Sequence, residues 1–332
     1  MVRNVFKSSI AQGWFEKLEE YVLENGFFTQ DAPGLDRYFS NLDSGRPQIY
    51  GIYWSKPQIE ARQAPALADT RSFLNYLWRF KSNGSRYFDP DRECTYADRI
   101  RMREPGDISL ELSPHIDAGS VERWIDPGYR KYYERLFCDD WRTFDPFNAV
   151  YSPEAEGIDS PAVYQALRTW QGWTVLTSQG PGDATLQLVS LIRAIVFVLL
   201  CPMLEDVPEE LLCGAEPGRA QSINREWHSL LLRGLVNIPR LEPGDTVWWH
   251  CDLIHAVEDE HKGTEMSSVI YIGAAPWCEC NLQYLERQKL PFLEGRSAPD
   301  FSAEDYEVCY KNRAQLEDLT PLGRRQMGFE AW

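Results

Sequence analysis

The sequence predicts a mainly β protein, a double-stranded β-helix (jelly-roll, cupin-like barrel) with helical additions at its N- and C-terminal ends. Three observations carry this. Short runs of strand composition recur through the middle of the chain and are bounded by Gly/Pro turns. Two of these runs, within Arg99–Ser120 (RIRMREPGDISLELSPHIDAGS) and Gly244–Glu258 (GDTVWWHCDLIHAVE), finish at histidine. Apolar residues at helical spacing gather toward the two ends. The expectation is one domain over residues 1–332, with 1–92 a mainly helical cover, 93–277 the barrel core with insertions, and 278–332 a helix and loop cap.

The elements follow in order. In AQGWFEKLEEYVLENG, Trp14, Leu18, Tyr21 and Val22 share a helical face, and Asn25-Gly26 ends it. QIYGIYW (Gln48 to Trp54) has strand composition. Ser55-Lys56-Pro57-Gln58 has the capping-box pattern with an early proline that starts a helix. A further helix is expected around Thr70 to Phe80, and the glycine- and charge-rich stretch from Lys81 to Cys94 reads as loop. Arg99–Ser120 reads as two strands joined by a Pro-Gly turn. The aromatic segment after Ser120, from Val121 to Phe137, either lines a pocket or covers the barrel. LRTWQGWTVLTSQGPGDATLQLV reads as an antiparallel hairpin, and AIVFVLLCPML (Ala194 to Leu204) as a buried strand. The Pro-Gly-Asp turn at 243–245 launches the distal strand, Ser267 to Pro276 supplies another, and NLQYLERQKLPFLEG resumes helix.

Composition narrows the function. With 332 residues, 43% hydrophobic and 13% aromatic, the chain can bury a large core. A formal charge of −16 argues against nucleic acid or an anionic membrane as partner, which leaves small molecules. Eight scattered cysteines without CxxC pairs, and no signal-like opening segment, favour a reducing, cytoplasmic location. The run 194–204 is too short to cross a bilayer, which takes about 20 residues.

His115 and Asp117 carry the chemistry. An imidazole and a carboxylate two residues apart at a strand end can hold two adjacent positions on a metal, and a distal histidine would complete a two-histidine, one-carboxylate face that leaves three positions open. Chance alone makes such pairs: fifty acids in 332 residues place one two positions after a given histidine about 15% of the time, so five histidines yield about one. The second pair, His250 and Asp252, would have to find its other histidine in His255 or His261, too near in sequence to cross a barrel. The distal ligand therefore comes from the Gly244–Glu258 stretch. His250 and His255 differ by an odd number of positions, so on a regular strand only one of them enters the barrel.

The strings IYWSKPQIEAR, YADRIRMREPGD, PHIDAGSVERW, QGW, PGDTVWWHCDLIHAVEDEHKG, SSVIYI, and the late PDF and MGF resemble the YbiU-like family, described as a domain of unknown function. That family is similar to Fe(II)/2-oxoglutarate-dependent oxygenases. The resemblance implies Fe(II) held by His115, Asp117 and His255, with 2-oxoglutarate and O₂ as cosubstrates. It implies oxidation of an unactivated C–H bond of a small molecule. Some fungal relatives resemble enzymes that oxidise a free amino acid and close it to an aziridine, which makes hydroxylation or oxidative cyclisation the expected outcome. Family members are often longer, which implies a shortened N-terminal region here. Two alternatives use the same barrel: a non-oxidative metal-dependent isomerase or hydrolase, and a binding protein without chemistry.

One departure from the wider oxygenase pattern matters. Those enzymes commonly place an arginine ten to fourteen residues after the distal histidine to grip the far carboxylate of 2-oxoglutarate, and residues 265–269 here are EMSSV. A carboxylate in a partly dry pocket still calls for a guanidinium. Arg101 and Arg103 share one strand face, and the alkylated-DNA-repair oxygenases, similar in strand order, use this strand. Arg168 is the next candidate, and Ser267 or Ser268 would at most add a hydrogen bond. On the substrate side the expectation is Arg123, Trp124 and Trp249 at the pocket mouth, with Trp173, Trp248 and Trp249 as the shell that excludes water and His250 as a supporting or substrate contact.

Overall fold

The computed structural model describes residues 1–26, 47–108, 112–117, 119–122, 127, 132–137, 141–149, 164–190, 192 and 214–332. Arg123, Trp124 and the apolar run 194–204 lie outside these described residues. Among them the protein is mainly antiparallel β, with six α-helices.

The larger sheet runs in the order β1 (Ile49–Tyr50), β5 (Ile100–Arg103), β13 (Ser267–Trp277), β7 (Trp170–Val175) and β11 (Thr246–Trp249). A further strand, β4 (Asp89–Cys94), pairs with the far end of β13. The smaller sheet runs β10 (Leu235–Asn237), β8 (Leu186–Val189), β12 (His255–Val257), β6 (His115–Ile116), β9 (Gln221–Ser222). A two-stranded ribbon, β2 (Lys81–Ser82) with β3 (Ser85–Arg86), stands apart.

Alternation of side chains along the strands builds the layers. Trp173, Val175, Val247, Trp249 and Val269 of the larger sheet pack in one cluster with Leu186 and Val257 of the smaller, so the two sheets face each other. The intervening residues Ile100, Met102, Ile270, Ile272 and Trp248 turn to the opposite face. There they meet Trp14 and Leu18 of α1 (Ser8–Glu24) and Leu67 and Leu74 of α3 (Pro65–Asn75). Burying each such Val, Leu or Ile contributes roughly 1.5–3 kcal/mol, which explains why a helix with this apolar stripe docks here. The far face of the smaller sheet, through Ile116, Val189 and Ile254, packs on Leu231 of α4 (Arg225–Leu232) and on Tyr132, Tyr133 and Phe144. Tyr132 and Tyr133 of the 121–137 segment thus serve as cover.

The capping box forms as the sequence expects: Ser55 and Gln58 exchange hydrogen bonds at the start of α2 (Lys56–Arg62). Helix α3 begins earlier than its apolar spacing suggests, because Pro65 sits at its first position, and it ends at Asn75. The 81–94 stretch is not all loop; Asp89–Cys94 becomes a strand because β13 is long enough to offer it a partner, Ala275 opposite Cys94. The expected hairpin across the Gly-Pro-Gly turn does not pair with itself. β7 joins β13 and β11 in one sheet and β8 joins β10 and β12 in the other, since the turn carries the chain from sheet to sheet. QIYGIYW keeps only two residues of strand, Ile49 and Tyr50.

The C-terminal cap contains α5 (Glu279–Glu294) and α6 (Pro321–Gln326). It is tied to the start of the chain by buried Glu307, whose carboxylate accepts from the Tyr53 and Trp54 amides and from the Tyr21 hydroxyl. No helix among the described residues is long and apolar enough to cross a membrane.

Candidate metal centre and its cavity

His115 opens β6 and His255 opens β12, and the two residues are direct cross-strand partners. Directly opposed residues face the same side, so the pairing alone brings the rings to a centroid separation of 4.3 Å. Asp117, two residues after His115, keeps that face. Its Oδ1 lies 3.4 Å from His115 Nε2 and its Oδ2 3.6 Å from His255 Nε2. One ligand atom from each of the three lies within 4.8 Å of the others, the only such group of three among the described residues.

Both imidazoles are oriented by the same local device. His115 Nδ1 donates to the Ser113 carbonyl at 2.6 Å, and His255 Nδ1 donates to the Leu253 carbonyl at 3.1 Å. A carbonyl only accepts, so each Nδ1 carries a proton and each Nε2 is the ring nitrogen turned toward Asp117. Gln171, from the QGW motif on β7, donates through Nε2 to Asp117 Oδ2 at 2.5 Å, which fixes the carboxylate plane. Gly172 beside it is required by packing: a Cβ there would lie 2.5 Å from the Val247 carbonyl and 2.7 Å from the Trp248 ring.

The charges suit a cation. Burial works against an ionised Asp117, but its hydrogen bonds with His115 and His255 outweigh this and hold the carboxyl well below the ordinary range. His255 is lowered by burial and then by the neighbouring His115, so it stays neutral. For His115 burial opposes protonation, and the Asp117 carboxylate overcomes it and raises the group. An ionised acid and inward Nε2 atoms are what a divalent metal uses, the metal displacing any proton that Asp117 holds there.

The triad lies in the wall of a cavity of about 630 Å³ that is also lined by Trp173, Trp249, Tyr271, Tyr164 and Arg168. Trp249 lies tilted against His255 at 5.3 Å and crosses Trp173 edge-on at 5.7 Å. These rings supply the dry surface expected of them, whereas Trp248 packs on the opposite face under the helices. The structure does not bring His250 to the cavity. It lies on the outer side, its ring stacked 5.1 Å from Trp78 and its Nε2 at 2.9 Å from the Pro146 carbonyl. His250 follows Trp249, whose ring faces the cavity, so alternation returns it to the face of Trp248, and the chain then turns at 250–253 before β12 begins in the other sheet.

The three candidate arginines differ sharply. Arg103 donates to the carbonyls of Glu258 (2.7 Å), Asp107 (3.0 Å) and Asp259 (3.1 Å). Arg101, equally buried, makes one long bond from Nη2 to Gln179 Oε1 at 3.4 Å and lies 4.4 Å from the Trp173 ring centre; among the described residues its Nε and Nη1 have no hydrogen-bond partner. Arg168 lies 3.6 Å from the Tyr164 ring centre at the cavity. Ser267 shares Gln179 Oε1 with Arg101, at 3.1 Å. Ser268 sits opposite Met102, on the helix-covered face, and its hydroxyl has no partner. Gln171, Tyr164 and Tyr271 were not singled out from sequence. Gln171 was in principle readable, two positions from Trp173 and hence on the same strand face.

The curated protein YbiU of Escherichia coli strain K12, described as uncharacterized, is 41% identical over 333 residues, covering 99% of this chain and 79% of that protein. A crystal structure of a hypothetical protein from Escherichia coli matches with a TM-score of 0.86 at 40% identity, over 98% of this chain and 78% of that one. That of GlcNAc Inducible Gene 2 from Candida albicans, a DUF1479 protein, matches with a TM-score of 0.82 at 28% identity, over 99% of this chain and 73% of that one. The Gig2-like family model matches residues 1–329, and with relatives this similar along nearly its whole length the chain belongs to the Gig2-like family.

Proposed function

We propose that this protein is a non-haem Fe(II)- and 2-oxoglutarate-dependent oxygenase that oxidises a C–H bond of a small molecule within one domain. The convergence of His115, Asp117 and His255, with both Nδ1 atoms committed to carbonyls, is the observation that carries the reading. Two imidazoles and one carboxylate on a single side are the donor set for Fe(II), with positions left over for cosubstrates. Strand order supports it. Counting β5, β6, β7, β8, β10, β11, β12 and β13 as one to eight, the sheets read 1-8-3-6 and 5-4-7-2, the interleaving of a jelly roll.

Bound together, Fe(II) and 2-oxoglutarate would supply O₂-dependent oxidation of substrate, with 2-oxoglutarate leaving as succinate and CO₂. The chain's own part is positioning. His115, Asp117 and His255 hold the metal; Gln171 keeps the Asp117 carboxylate in one orientation; Trp173 and Trp249 exclude water. Arg101 suits the far carboxylate of 2-oxoglutarate, because it is a buried cation with two N–H sites unfilled, whereas Arg103 is committed to three carbonyls.

The test is an anaerobic titration of the Fe(II) protein with 2-oxoglutarate, following the metal-to-ligand absorption band, and then succinate formation on admitting O₂. A band lost in His115→Ala and His255→Ala and kept in His250→Ala is expected. Metal binding with no response to 2-oxoglutarate would instead favour a non-oxidative metal enzyme.

A further inference from the structure

We propose that Arg168 binds a carboxylate of the primary substrate, so that the substrate of this cavity is a small organic acid; this rests on the oxygenase reading of the same site. The chain has 34 lysines and arginines against 50 acids, and among the described residues the other buried or cavity-lining arginines, Arg101 apart, have found partners. Arg71 pairs with Glu93 at 3.0 Å, Arg103 holds three carbonyls, and Arg99, also at the cavity, lies 3.6 Å from Asp98. Arg168 is different. Among the described residues its guanidinium has no hydrogen bond and no ion pair, only the faces of Tyr164 at 3.6 Å and Tyr96 at 4.8 Å. Asp117 is already engaged by His115, His255 and Gln171, and Asp300 accepts from the Gln165 amide.

Stacking on an aromatic face fixes the plane of a guanidinium and leaves its N–H edge free for an in-plane acceptor. The matching acceptor is a carboxylate, taken by two parallel hydrogen bonds. Asp98 and Glu216 also line the cavity, and their negative charge opposes a phosphate dianion more than a carboxylate. Arg101 and Arg168 lie apart, one between the sheets behind Trp173 and the other against Tyr164. Arg168 lines the cavity and Arg101 does not, so among the described residues Arg168 is the unpaired guanidinium that the cavity itself presents to a substrate acid.

Saturation-transfer NMR on the metal-free protein, with straight- and branched-chain C4–C8 carboxylic acids and their primary amides, reads this without turnover. At least one acid should bind the wild type at least tenfold more tightly than its amide. Arg168→Ala should weaken that acid by about ten- to a hundredfold, and Arg168→Lys by less. Thermal unfolding of both variants, with the lysine variant retaining part of the affinity, separates this from a folding defect. In the Fe(II) protein, Arg168→Ala should keep the 2-oxoglutarate absorption band. Equal binding of acids and amides, or unchanged acid affinity in Arg168→Ala, overturns the proposal. So does loss of the 2-oxoglutarate band in Arg168→Ala, which would make Arg168 the cosubstrate anchor. Acid binding to the metal-free wild type without any 2-oxoglutarate response after metal loading would sink the oxygenase reading and leave the Arg168 assignment standing.

Discussion

Replacing Arg101 by methionine separates binding from folding. The side chain is wholly buried, and burial lowers its guanidinium to about 10, which corresponds to a cost of about 3 kcal/mol for keeping it charged. Little offsets this: one long bond to Gln179 and the face of Trp173. Methionine fills similar space without a charge to desolvate, so Arg101→Met should unfold at the wild-type temperature or higher. If the unfilled Nε and Nη1 serve 2-oxoglutarate, losing a charge-assisted contact of about 1.5–3 kcal/mol weakens its binding roughly ten- to a hundredfold. Arg103→Met should behave oppositely. It strands the buried Asp107 carbonyl at about 1–3 kcal/mol and the partly buried bonds to Glu258 and Asp259 at less, so it lowers the unfolding temperature and leaves the cosubstrate affinity of the folded protein unchanged. Calorimetric titration of 2-oxoglutarate into the Ni(II)-loaded variants, beside thermal melts, measures both. Wild-type affinity in Arg101→Met would refute the assignment, as would a large loss of stability in that variant.

Gln171→Ala frees the Asp117 carboxylate and should lower metal affinity about ten- to a hundredfold, read by competition with a chromophoric chelator; unchanged affinity would mean that the strand alone orients Asp117. His250→Ala should retain one bound metal per chain and lose stability, since its ring fills a buried slot against Trp78 and bonds the Pro146 carbonyl; metal loss measured by elemental analysis would contradict the placement. Burial pushes the Glu307 carboxyl from 4.5 up to about 7, so the folded state holds this proton more tightly than the unfolded chain. Its stabilising contribution is complete below about pH 4.5 and is lost as pH rises through about 7. Denaturant midpoints of wild type should therefore fall relative to Glu307→Gln over that window, and parallel pH profiles would count against it.

The sequence by itself determined what depends on neighbours in the chain. Helix α1, the capping box at Ser55 and the strand character of Ile100–Arg103, Thr246–Trp249 and Ser267–Trp277 follow from spacing and local hydrogen bonds over a few residues. The His115 and Asp117 pair was legible because two residues apart on a strand means one face. What only the tertiary structure decided depends on partners far along the chain. His255 meets His115 through a strand pairing across 140 positions, and odd spacing told only that one of His250 and His255 enters, while the change of sheet at the turn 250–253 settles which. Asp89–Cys94 is a strand because β13 offers an edge, and β7 and β8 separate because each finds better partners in a different sheet. The arginines show the same limit: Arg101 and Arg103 are alike in sequence and both buried, yet the carbonyls that occupy one and spare the other lie up to 156 positions away. Unfilled hydrogen-bonding capacity belongs to the surroundings of a side chain, and those surroundings exist only once the two sheets have closed on each other.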